Sequence, residues 1–273
     1  MPKKTSNLKS QTFNLLFIGD IIGEVGRKTV KKLLPEIKSK YGIDFVMANG
    51  EHLSDRVGVD VEILREMHES GIDFFTTGNH VWRNDEFKEE IAKKNMPVVR
   101  PANFLSKFPG HGFRTVATPV GRMLIINLLG KEGIREKVVN PFKKATAILE
   151  SQTDYDFAVV DFHAEMTSEK VAMGYHLDGK VAAVLGTHTH VPTADARILP
   201  EGTAFVSDVG MTGPLNSVLG VEKDIIIERF VKGTGGRFEV SENWPGVFSA
   251  VLVTIDKNGK AKKIERVDSV LKS

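Results

Sequence analysis

The chain of 273 residues contains no cysteine. This absence excludes disulfide scaffolds, thiolate zinc sites, iron–sulfur clusters and cysteine nucleophiles, so any metal must be held by nitrogen and oxygen ligands. Net charge is also nearly absent, because 37 Lys and Arg residues are balanced by 35 Asp and Glu residues. We therefore expect neither duplex nucleic acid nor an anionic membrane surface as a partner.

Long hydrophobic runs are missing as well. The apolar run at residues 13–18 is followed by Asp20, Glu24 and Arg27 and by no small-residue cleavage site, unlike a signal peptide. The longest later run, residues 246–255, has about half the length of a membrane span. We expect a cytoplasmic protein with a disordered basic tail at residues 1–12 and a single domain over residues 13–273.

Short apolar runs alternate with helical patterns along most of the chain, which predicts βαβ units and a largely parallel sheet of the α/β class. Near the end, Asn258 and Gly259 separate two apolar segments and predict an antiparallel C-terminal hairpin. Residues 103–119 fit neither pattern. The predicted strands cover residues 13–18, 44–48, 74–77, 123–129, 157–162 and 181–185, and the predicted helices cover residues 27–41, 61–70, 85–94 and 141–153.

Polar side chains directly follow five of the predicted strands. Ligands of α/β sheets bind beyond the carboxyl ends of the strands, so we expect these side chains to converge. Five of the eight histidines in the chain are among them. The residues at the strand ends are Asp20, Asn49, Glu51, His52, Asn79, His80, His163, His188 and His190.

The donor types in this set indicate metal binding. His188 and His190 are two residues apart, and in extended backbone such a pair points to the same face. Carboxylate, amide and imidazole donors fill two neighbouring sites that suit Mn, Fe or Zn better than Ca or Cu. Gly50 and Gly78 precede ligands and let the backbone turn tightly.

These motifs resemble the five motifs of the calcineurin-like metallophosphoesterases, and more closely the bacterial YmdB-like phosphodiesterase subfamily. The resemblance extends from about residue 13 to the C-terminal hairpin. The matching segments include Asn49-Gly50-Glu51, Gly78-Asn79-His80-Val81-Trp82, Arg100-Pro101-Ala102-Asn103, Asp161-Phe162-His163-Ala164-Glu165, Gly186-Thr187-His188-Thr189-His190 and Asp208-Val209-Gly210-Met211-Thr212-Gly213-Pro214.

The resemblance implies an α/β/β/α sandwich and a phosphodiesterase that acts on small cyclic phosphodiesters, either 2′,3′-cyclic nucleotides or cAMP. It also implies a homo-oligomer and two transition metals, with Fe or Mn favoured over Zn. A hydroxide bridging two such metals attacks the phosphodiester, and His80 serves as an acid/base or charge-stabilising group at the leaving oxygen. The implied ligands are Asp20, His52 and His190 for the first metal, Asn79, His163 and His188 for the second, and Glu51 between the two.

The sequence departs from the subfamily at two points. His52 stands where the subfamily usually has Asn, so an imidazole nitrogen replaces an amide oxygen as donor. Residues 53–58 also differ from the short glycine-rich turn, containing a histidine, of the relatives. Two alternatives therefore stay open, a phosphomonoesterase on the same scaffold and a metal- or nucleotide-binding regulatory protein with weak activity.

Four further residues have competing interpretations. Arg27 fits a solvated helix position better than a phosphate contact, and Thr167 fits a helix cap. Trp82 either stacks on a nucleobase or packs in the interior. Glu165 is an acceptor that can orient a ligand histidine.

Overall fold

The computed structural model describes residues 12–54, 58–93, 96–105, 108–233 and 236–272. Most of the predicted basic tail, residues 1–11, lies outside the described residues, and Thr12 is the first residue of a strand. Part of the altered loop after His52, residues 55–57, also lies outside them. Among the described helices, none combines the length and the apolar composition that crossing a membrane requires.

Strands and helices alternate along the described chain. The strands are β1 (Thr12–Ile18), β2 (Asp20–Ile21), β3 (Phe45–Asn49), β4 (Phe74–Thr76), β5 (Phe113–Thr118), β6 (Gly121–Leu129), β7 (Phe157–His163), β8 (Ala183–Thr187), β9 (Arg197–Ile198), β10 (Ala204–Val206), β11 (Met211–Pro214), β12 (Gly246–Phe248), β13 (Ala250–Asp256), β14 (Ala261–Arg266) and β15 (Ser269–Leu271). The helices are α1 (Gly23–Tyr41), α2 (Val61–Glu69), α3 (Asp85–Glu90), α4 (Pro141–Ser151), α5 (Thr167–Leu177) and α6 (Lys223–Lys232), with a 3-10 helix at Val81–Arg83.

Local sequence explains where several helices begin and end. The Asp60 carboxylate accepts hydrogen bonds from the first turn of α2, and the Asn140 side chain does the same for α4, which starts with Pro141. Helix α1 ends at Gly42, whose φ of 60° is a left-handed conformation that glycine adopts at little cost. Polar side chains thus fix the starts of α2 and α4, and a glycine fixes the end of α1.

The strands form three sheets. The first has the order β14-β13-β1-β3-β4, the second β5-β6-β7-β8-β10-β9, and the third β15-β12-β11-β2. Pairing is parallel at the centre of both large sheets, between β1, β3 and β4 and between β6, β7, β8 and β10. The predicted α/β class with parallel central strands is confirmed. The single largely parallel sheet is not observed, because the strands divide into several sheets and the outer strands β5, β9, β13 and β14 pair antiparallel.

Alternating side chains divide the protein into four layers. Phe17 of β1 packs with Ile125 of β6 in the apolar layer between the two large sheets. Its neighbour Leu16 faces the opposite way and packs with Val30 of α1 and Leu64 of α2. Residues of α4 and α5 cover the outer face of the second sheet in the same manner. The predicted α/β/β/α sandwich is confirmed, and buried strands on both faces of each sheet explain the uniformly apolar strand sequences.

The C-terminal region is more divided than its apolar pattern predicts. The expected hairpin is present, because β13 and β14 pair antiparallel. The run at residues 246–255, however, is split at Ser249 between β12 of the third sheet and β13 of the first. The Ser249 carbonyl accepts the Gly19 N–H at 3.0 Å, and its own N–H donates to Thr212 Oγ1 at 3.0 Å. These bonds join the third sheet to the end of β1, where the site lies.

Candidate metal centre

The carboxyl ends of the central strands meet at one edge of the sandwich. Asp20 begins β2 directly after β1, and His163 is the last residue of β7. The other predicted ligands lie directly after β3, β4 and β8. Residues from both large sheets are therefore close together, as the positions of the strand ends predict.

Glu51 lies at the centre of this edge and is fully buried. Its Oε1 lies 3.1 Å from His163 Nε2 and 3.3 Å from His52 Nε2. Its Oε2 accepts the backbone N–H of His80 at 3.1 Å. Glu51 thus belongs to two groups with metal-ligand spacing, one with His52 and His80 and one with His163 and His188, and the ligand atoms of each group lie within 4.8 Å of one another.

His188 contacts His163 on one side of Glu51. Its Nδ1 lies 3.1 Å from His163 Nε2, and its Nε2 lies 2.9 Å from Glu165 Oε2. The expected contact between Glu165 and a histidine of the site is therefore confirmed. A carboxylate that holds one ring nitrogen leaves the other nitrogen oriented for a metal.

Asp20 and His190 lie on the other side, next to His52. His190 Nε2 lies 3.8 Å from Asp20 Oδ1, and His190 Nδ1 lies 3.0 Å from the carbonyl oxygen of Leu219. The His52 ring is edge-on to the His190 ring at 5.2 Å and lies 5.3 Å from the His80 ring. His52 therefore lies beside three groups of the site, Glu51, His80 and His190, although it departs from the subfamily sequence.

Asn79 and His80 reach the site through Gly78. A Cβ on residue 78 would overlap Glu51 Oε2 and His163 Nε2, so this backbone passes directly against both side chains. The φ of Gly78 lies outside the left-handed region, so what requires glycine here is the lack of space for a side chain. Asn79 Nδ2 lies 3.4 Å from His80 Nε2.

His188 and His190 occupy a turn rather than an extended segment. Strand β8 ends at Thr187, and the φ angles of the two histidines are 97° and 64°. The expectation of extended backbone here is wrong, because both residues adopt a left-handed conformation on either side of Thr189. Both side chains still reach the site, because His188 Nδ1 lies 3.1 Å from His163 Nε2 and His190 Nε2 lies 3.8 Å from Asp20 Oδ1. Left-handed backbone is unfavourable for non-glycine residues and persists where its surroundings hold it.

A buried polar network orients His163 from behind. Thr187 Oγ1 lies 2.9 Å from His163 Nδ1 and donates to Asp161 Oδ1 at 2.7 Å. Asn49 Nδ2 donates to Asp161 Oδ2 at 3.0 Å and lies 3.3 Å from His163 Nδ1. None of these three residues is predicted from the sequence to orient His163. A charged residue inside the apolar strand β7 was the available signal, because a buried carboxylate requires hydrogen-bond donors.

Burial and neighbouring charges shift the pKa values of the site in opposite directions. Burial raises the pKa of Asp20 to about 6, against the lowering effect of His163. Burial alone would also raise the pKa of Glu51, but the charge and hydrogen bond of His163, with His52, lower it well below its usual value. Burial alone would lower the pKa of His163, but Glu51, Asp20 and Asp161 raise it to about 9.

The remaining imidazoles are shifted towards the neutral form. Burial, followed by the charge of His163, lowers the pKa of His188 to about 2. Burial, followed by His52, lowers the pKa of His190 to about 4. Burial also lowers the pKa of His80. Neutral imidazoles keep a lone pair at pH 7, which is the form that ligates a metal.

Unpaired acceptors show that the residues fit metal ions. In the described part of the chain, Asp20 Oδ1 and Asn79 Oδ1 are buried and have no hydrogen-bond partner. A buried acceptor without a donor costs about 1–3 kcal/mol, which a cation at that position offsets. The surrounding oxygen and nitrogen donors, without any thiolate, suit a first-row transition metal.

Two of three neighbouring residues, Arg27 and Trp82, pack against the interior, whereas Thr167 is exposed at the start of α5. Arg27 is buried and its Nη1 donates to the Leu53 carbonyl at 2.6 Å, so the interpretation as a solvated residue is wrong. Trp82 stacks on Phe108 with a centroid distance of 4.7 Å and an interplanar angle of 15°, which agrees with interior packing. Thr167 is inside α5, whose N-cap Met166 offers no side-chain hydrogen bond, so Thr167 is not the cap.

Comparisons with known proteins identify relatives of this chain in sequence and in structure. A model of the family described as YmdB-like protein matches residues 16–267. The 2′,3′-cyclic-nucleotide 2′-phosphodiesterase of Bacillus subtilis (strain 168) is 42% identical over 93% of this chain and 96% of the relative. The crystal structure of a novel phosphatase from Mycoplasma pneumoniae aligns with a TM-score of 0.90 and 36% identity, over 96% of this chain and 95% of that chain.

A more distant structure identifies the fold. A putative 5′-nucleotidase from Staphylococcus aureus aligns with a TM-score of 0.59 and 14% identity, over 96% of this chain and 54% of that chain. The sandwich and its edge cluster of carboxylate, amide and imidazole groups define the class as a metallophosphoesterase. Within that class, the chain belongs to the YmdB-like family. It is therefore an enzyme, a metal-dependent phosphoric diester hydrolase, as the sequence predicts.

Proposed function

We propose that the enzyme hydrolyses small cyclic phosphodiesters, with 2′,3′-cyclic nucleotides as the substrate class and cleavage of the bond to the 2′ oxygen. The observation that carries the proposal is the shared position of Glu51 in two ligand groups, one with His52 and His80 and one with His163 and His188. A carboxylate with both oxygens directed to different partners is suited to link two metals. The name of the Bacillus subtilis relative, a 2′,3′-cyclic-nucleotide 2′-phosphodiesterase, supports the choice of substrate.

Two transition metals, Fe or Mn in preference to Zn, fit the donor set of the site. When bound, such a pair supplies a water nucleophile of lowered pKa and positive charge for the phosphate oxygens. Neutral His188 and His190 offer lone pairs, and the Asp20 and Asn79 oxygens offer unpaired acceptors. The proposed ligands are Asp20, His52, Glu51 and His190 for one metal and Glu51, Asn79, His163 and His188 for the other.

His80 is the proposed group at the leaving oxygen. Its backbone N–H is fixed by Glu51 Oε2, and its Nδ1 has no hydrogen-bond partner among the described residues. Burial lowers the pKa of His80, so its ring is neutral at pH 7 and one ring N–H donates a hydrogen bond where negative charge develops. Hydrolysis adds water across the bond between phosphorus and the 2′ oxygen, so the product carries a 2′ hydroxyl and a 3′ phosphate.

The test is hydrolysis of 2′,3′-cyclic AMP and of 3′,5′-cyclic AMP with added Mn²⁺, with products separated by chromatography. We expect the 3′-nucleotide from the 2′,3′-cyclic substrate and slower turnover of the 3′,5′-cyclic one. Glu51→Gln keeps the size of the side chain and removes its charge, so activity should fall by at least about 100-fold. Glu36→Gln, an exposed glutamate of α1, is the matched control and should keep full activity. Equal rates for Glu51→Gln and the wild type would contradict the assignment of Glu51 to the centre of the metal site.

A phosphomonoesterase is the second candidate, favoured by the similarity to the Mycoplasma pneumoniae protein, which is described as a phosphatase. The same donors can serve both reactions, because the metal charge and the His80 hydrogen bond act on phosphate oxygens in either case. The two functions are separated by supplying the 3′-nucleotide as substrate. Release of inorganic phosphate faster than opening of the cyclic diester would support the monoesterase.

A further inference from the structure

A buried ion pair lies directly behind the turn that carries His188 and His190. Lys170 of α5 donates from Nζ to Asp208 Oδ2 at 2.6 Å, and each side chain is only 1% exposed. Asp208 follows β10, 38 residues after Lys170 in the sequence. Neither residue belongs to the proposed ligand set, and the proposed reaction gives them no role.

Asp208 is bonded to the residue between the two histidines. Its Oδ2 accepts the Thr189 N–H at 3.0 Å and the Thr189 hydroxyl at 2.7 Å. Its Oδ1 accepts the Gly210 N–H at 2.8 Å. One carboxylate oxygen thus receives three donors, two from Thr189 and one from Lys170, and the other oxygen is anchored to its own loop. The carboxylate has little freedom to rotate as a result.

The conformation of the turn explains why such an anchor is needed. His188 and His190 both have left-handed φ angles, which non-glycine residues adopt only when the surroundings compensate the strain. Backbone hydrogen bonds hold the two ends, from Val209 N–H to the Gly186 carbonyl at 2.9 Å and from Met211 N–H to the His190 carbonyl at 3.1 Å. Asp208 holds the middle of the turn through its two hydrogen bonds from Thr189.

Lys170 is required for Asp208 to do this. A fully buried carboxylate without a cation is strongly unfavourable. Asp208 also lies near enough to Asp20 for the two like charges to interact. A buried ion pair is by itself a poor source of stability compared with apolar packing. Its value here is therefore the fixed direction of the Asp208 oxygens towards Thr189.

We propose that Lys170 and Asp208 are positioning residues, which hold His188 and His190 in the geometry that binds metal. The proposal rests on the proposed metal centre. It predicts that breaking the pair weakens metal binding through the turn, although neither residue contacts the metal.

The test is the dissociation constant for Co²⁺, followed by its visible absorption, and for Mn²⁺, followed by competition with a chelating dye. Lys170→Met keeps a chain of similar length without the charge. We expect about 10- to 100-fold weaker metal binding and an altered Co²⁺ spectrum. In the double variant Lys170→Met with Asp208→Asn, the unpaired charge is gone and an amide oxygen still accepts from Thr189, so metal binding should be tighter than in Lys170→Met alone.

Glu169→Gln is the matched control. Glu169 is the neighbour of Lys170 in α5, is also buried, and accepts the backbone N–H groups of Lys131 and Glu132 at 3.0–3.2 Å, with no contact to Thr189. We expect it to lower thermal stability and to leave the metal dissociation constant unchanged. An equal loss of metal affinity in Glu169→Gln and Lys170→Met would overturn the positioning role, because general destabilisation would then explain both.

The outcomes separate this proposal from the proposed function. A wild type that binds neither metal would remove the metal centre itself and the positioning role with it. A wild type that binds metal and a folded Lys170→Met that binds equally well would overturn the positioning role alone. If Lys170→Met does not fold, Thr189→Val removes one of the three bonds to Asp208 Oδ2 and keeps the ion pair. Thr189→Val should bind metal several-fold more weakly, and unchanged affinity would overturn the proposal.

Discussion

The backbone N–H of His188 donates to Asp20 Oδ2 at 3.2 Å. This bond connects the end of β8, in the second sheet, to the first residue of β2, which begins two residues after the last residue of β1 in the first sheet. The two halves of the site therefore depend on the packing of the sheets against each other. Side chains such as Phe17 and Ile125, which fill the space between the sheets, fix the distance between Asp20 and the histidine turn.

Gly78 should tolerate no side chain. In Gly78→Ala the new methyl group would overlap Glu51 Oε2 and His163 Nε2, and neither group can move because both are buried and hydrogen-bonded. We expect the variant to lose at least about 100-fold in activity, since displaced ligands cost metal affinity. Steady-state hydrolysis and bound metal measured on the same sample provide the check.

Gly50→Ala is the control for that substitution. A Cβ at residue 50 meets the Leu53 side chain at 2.9 Å and the Phe75 ring at 3.1 Å, and flexible apolar groups can shift. A smaller loss of activity is expected for Gly50→Ala than for Gly78→Ala. The reverse order would contradict the close approach of Gly78 to the ligands.

His52 should influence which metal supports activity. His52→Asn replaces an imidazole nitrogen near Glu51 with an amide oxygen, a harder donor. We expect the ratio of Mn²⁺-supported to Zn²⁺-supported activity to rise, by about tenfold if His52 is a ligand. His111→Asn, at an exposed histidine outside the site, should leave the ratio unchanged. An unchanged ratio in His52→Asn would remove His52 from the ligand set.

The sequence predicts the layers and the ligand types because both depend on local patterns. Apolar runs mark strands buried on two faces, and the polar residues at their ends mark the site edge. The course of the chain between those points depends on tertiary contacts. Thr189 lies between two histidines with left-handed backbone, and its N–H donates to Asp208. No residue near Thr189 in the sequence indicates that partner.

Buried polar residues also depend on tertiary contacts that the local sequence does not contain. Arg27 stands beside Lys28 in an apparently solvated helix start, yet it turns inward to the Leu53 carbonyl. Ser249 interrupts an apolar run, although no glycine or proline stands at that position. Two sheets diverge there, and the Ser249 carbonyl accepts a hydrogen bond from outside its own strand. Such residues become recognisable only when the opposing surface is known.

Asp195 should make stability depend on pH in acid. Burial alone would raise its pKa, but hydrogen bonds from Ser207 and Thr193 outweigh burial and lower it. A carboxylate with a lowered folded pKa stabilises the protein above the unfolded value near 4, and this contribution disappears as the pH falls through the folded value. At pH 6, we expect the free energy of unfolding of Asp195→Asn to be about 1 kcal/mol lower than that of the wild type. The difference is small because the carboxylate is partly exposed.

Urea unfolding of both proteins across the acid range measures this difference. The gap between them should be constant above about pH 5 and should narrow below about pH 4. A gap that widens towards low pH would contradict the direction of the Asp195 shift. Asp154→Asn, at an exposed aspartate that pairs with Arg122 at 2.5 Å, is a suitable control with little expected effect.

Metal removal should lower thermal stability, whether or not the protein hydrolyses a phosphate ester. A ligand present at about 1,000 times its dissociation constant stabilises the folded state by about 4 kcal/mol, which for a chain of this size raises Tm by about 10 °C. Calorimetric melts with chelator and with excess Mn²⁺ should therefore differ for the wild type, and much less for Glu51→Gln, which lacks the central charge of both ligand groups. A raised Tm together with hydrolysis of the cyclic diester supports the enzyme. A raised Tm with no turnover of any phosphate ester would favour the metal-binding regulatory protein, and identical melts with and without Mn²⁺ would argue against a metal centre at Glu51.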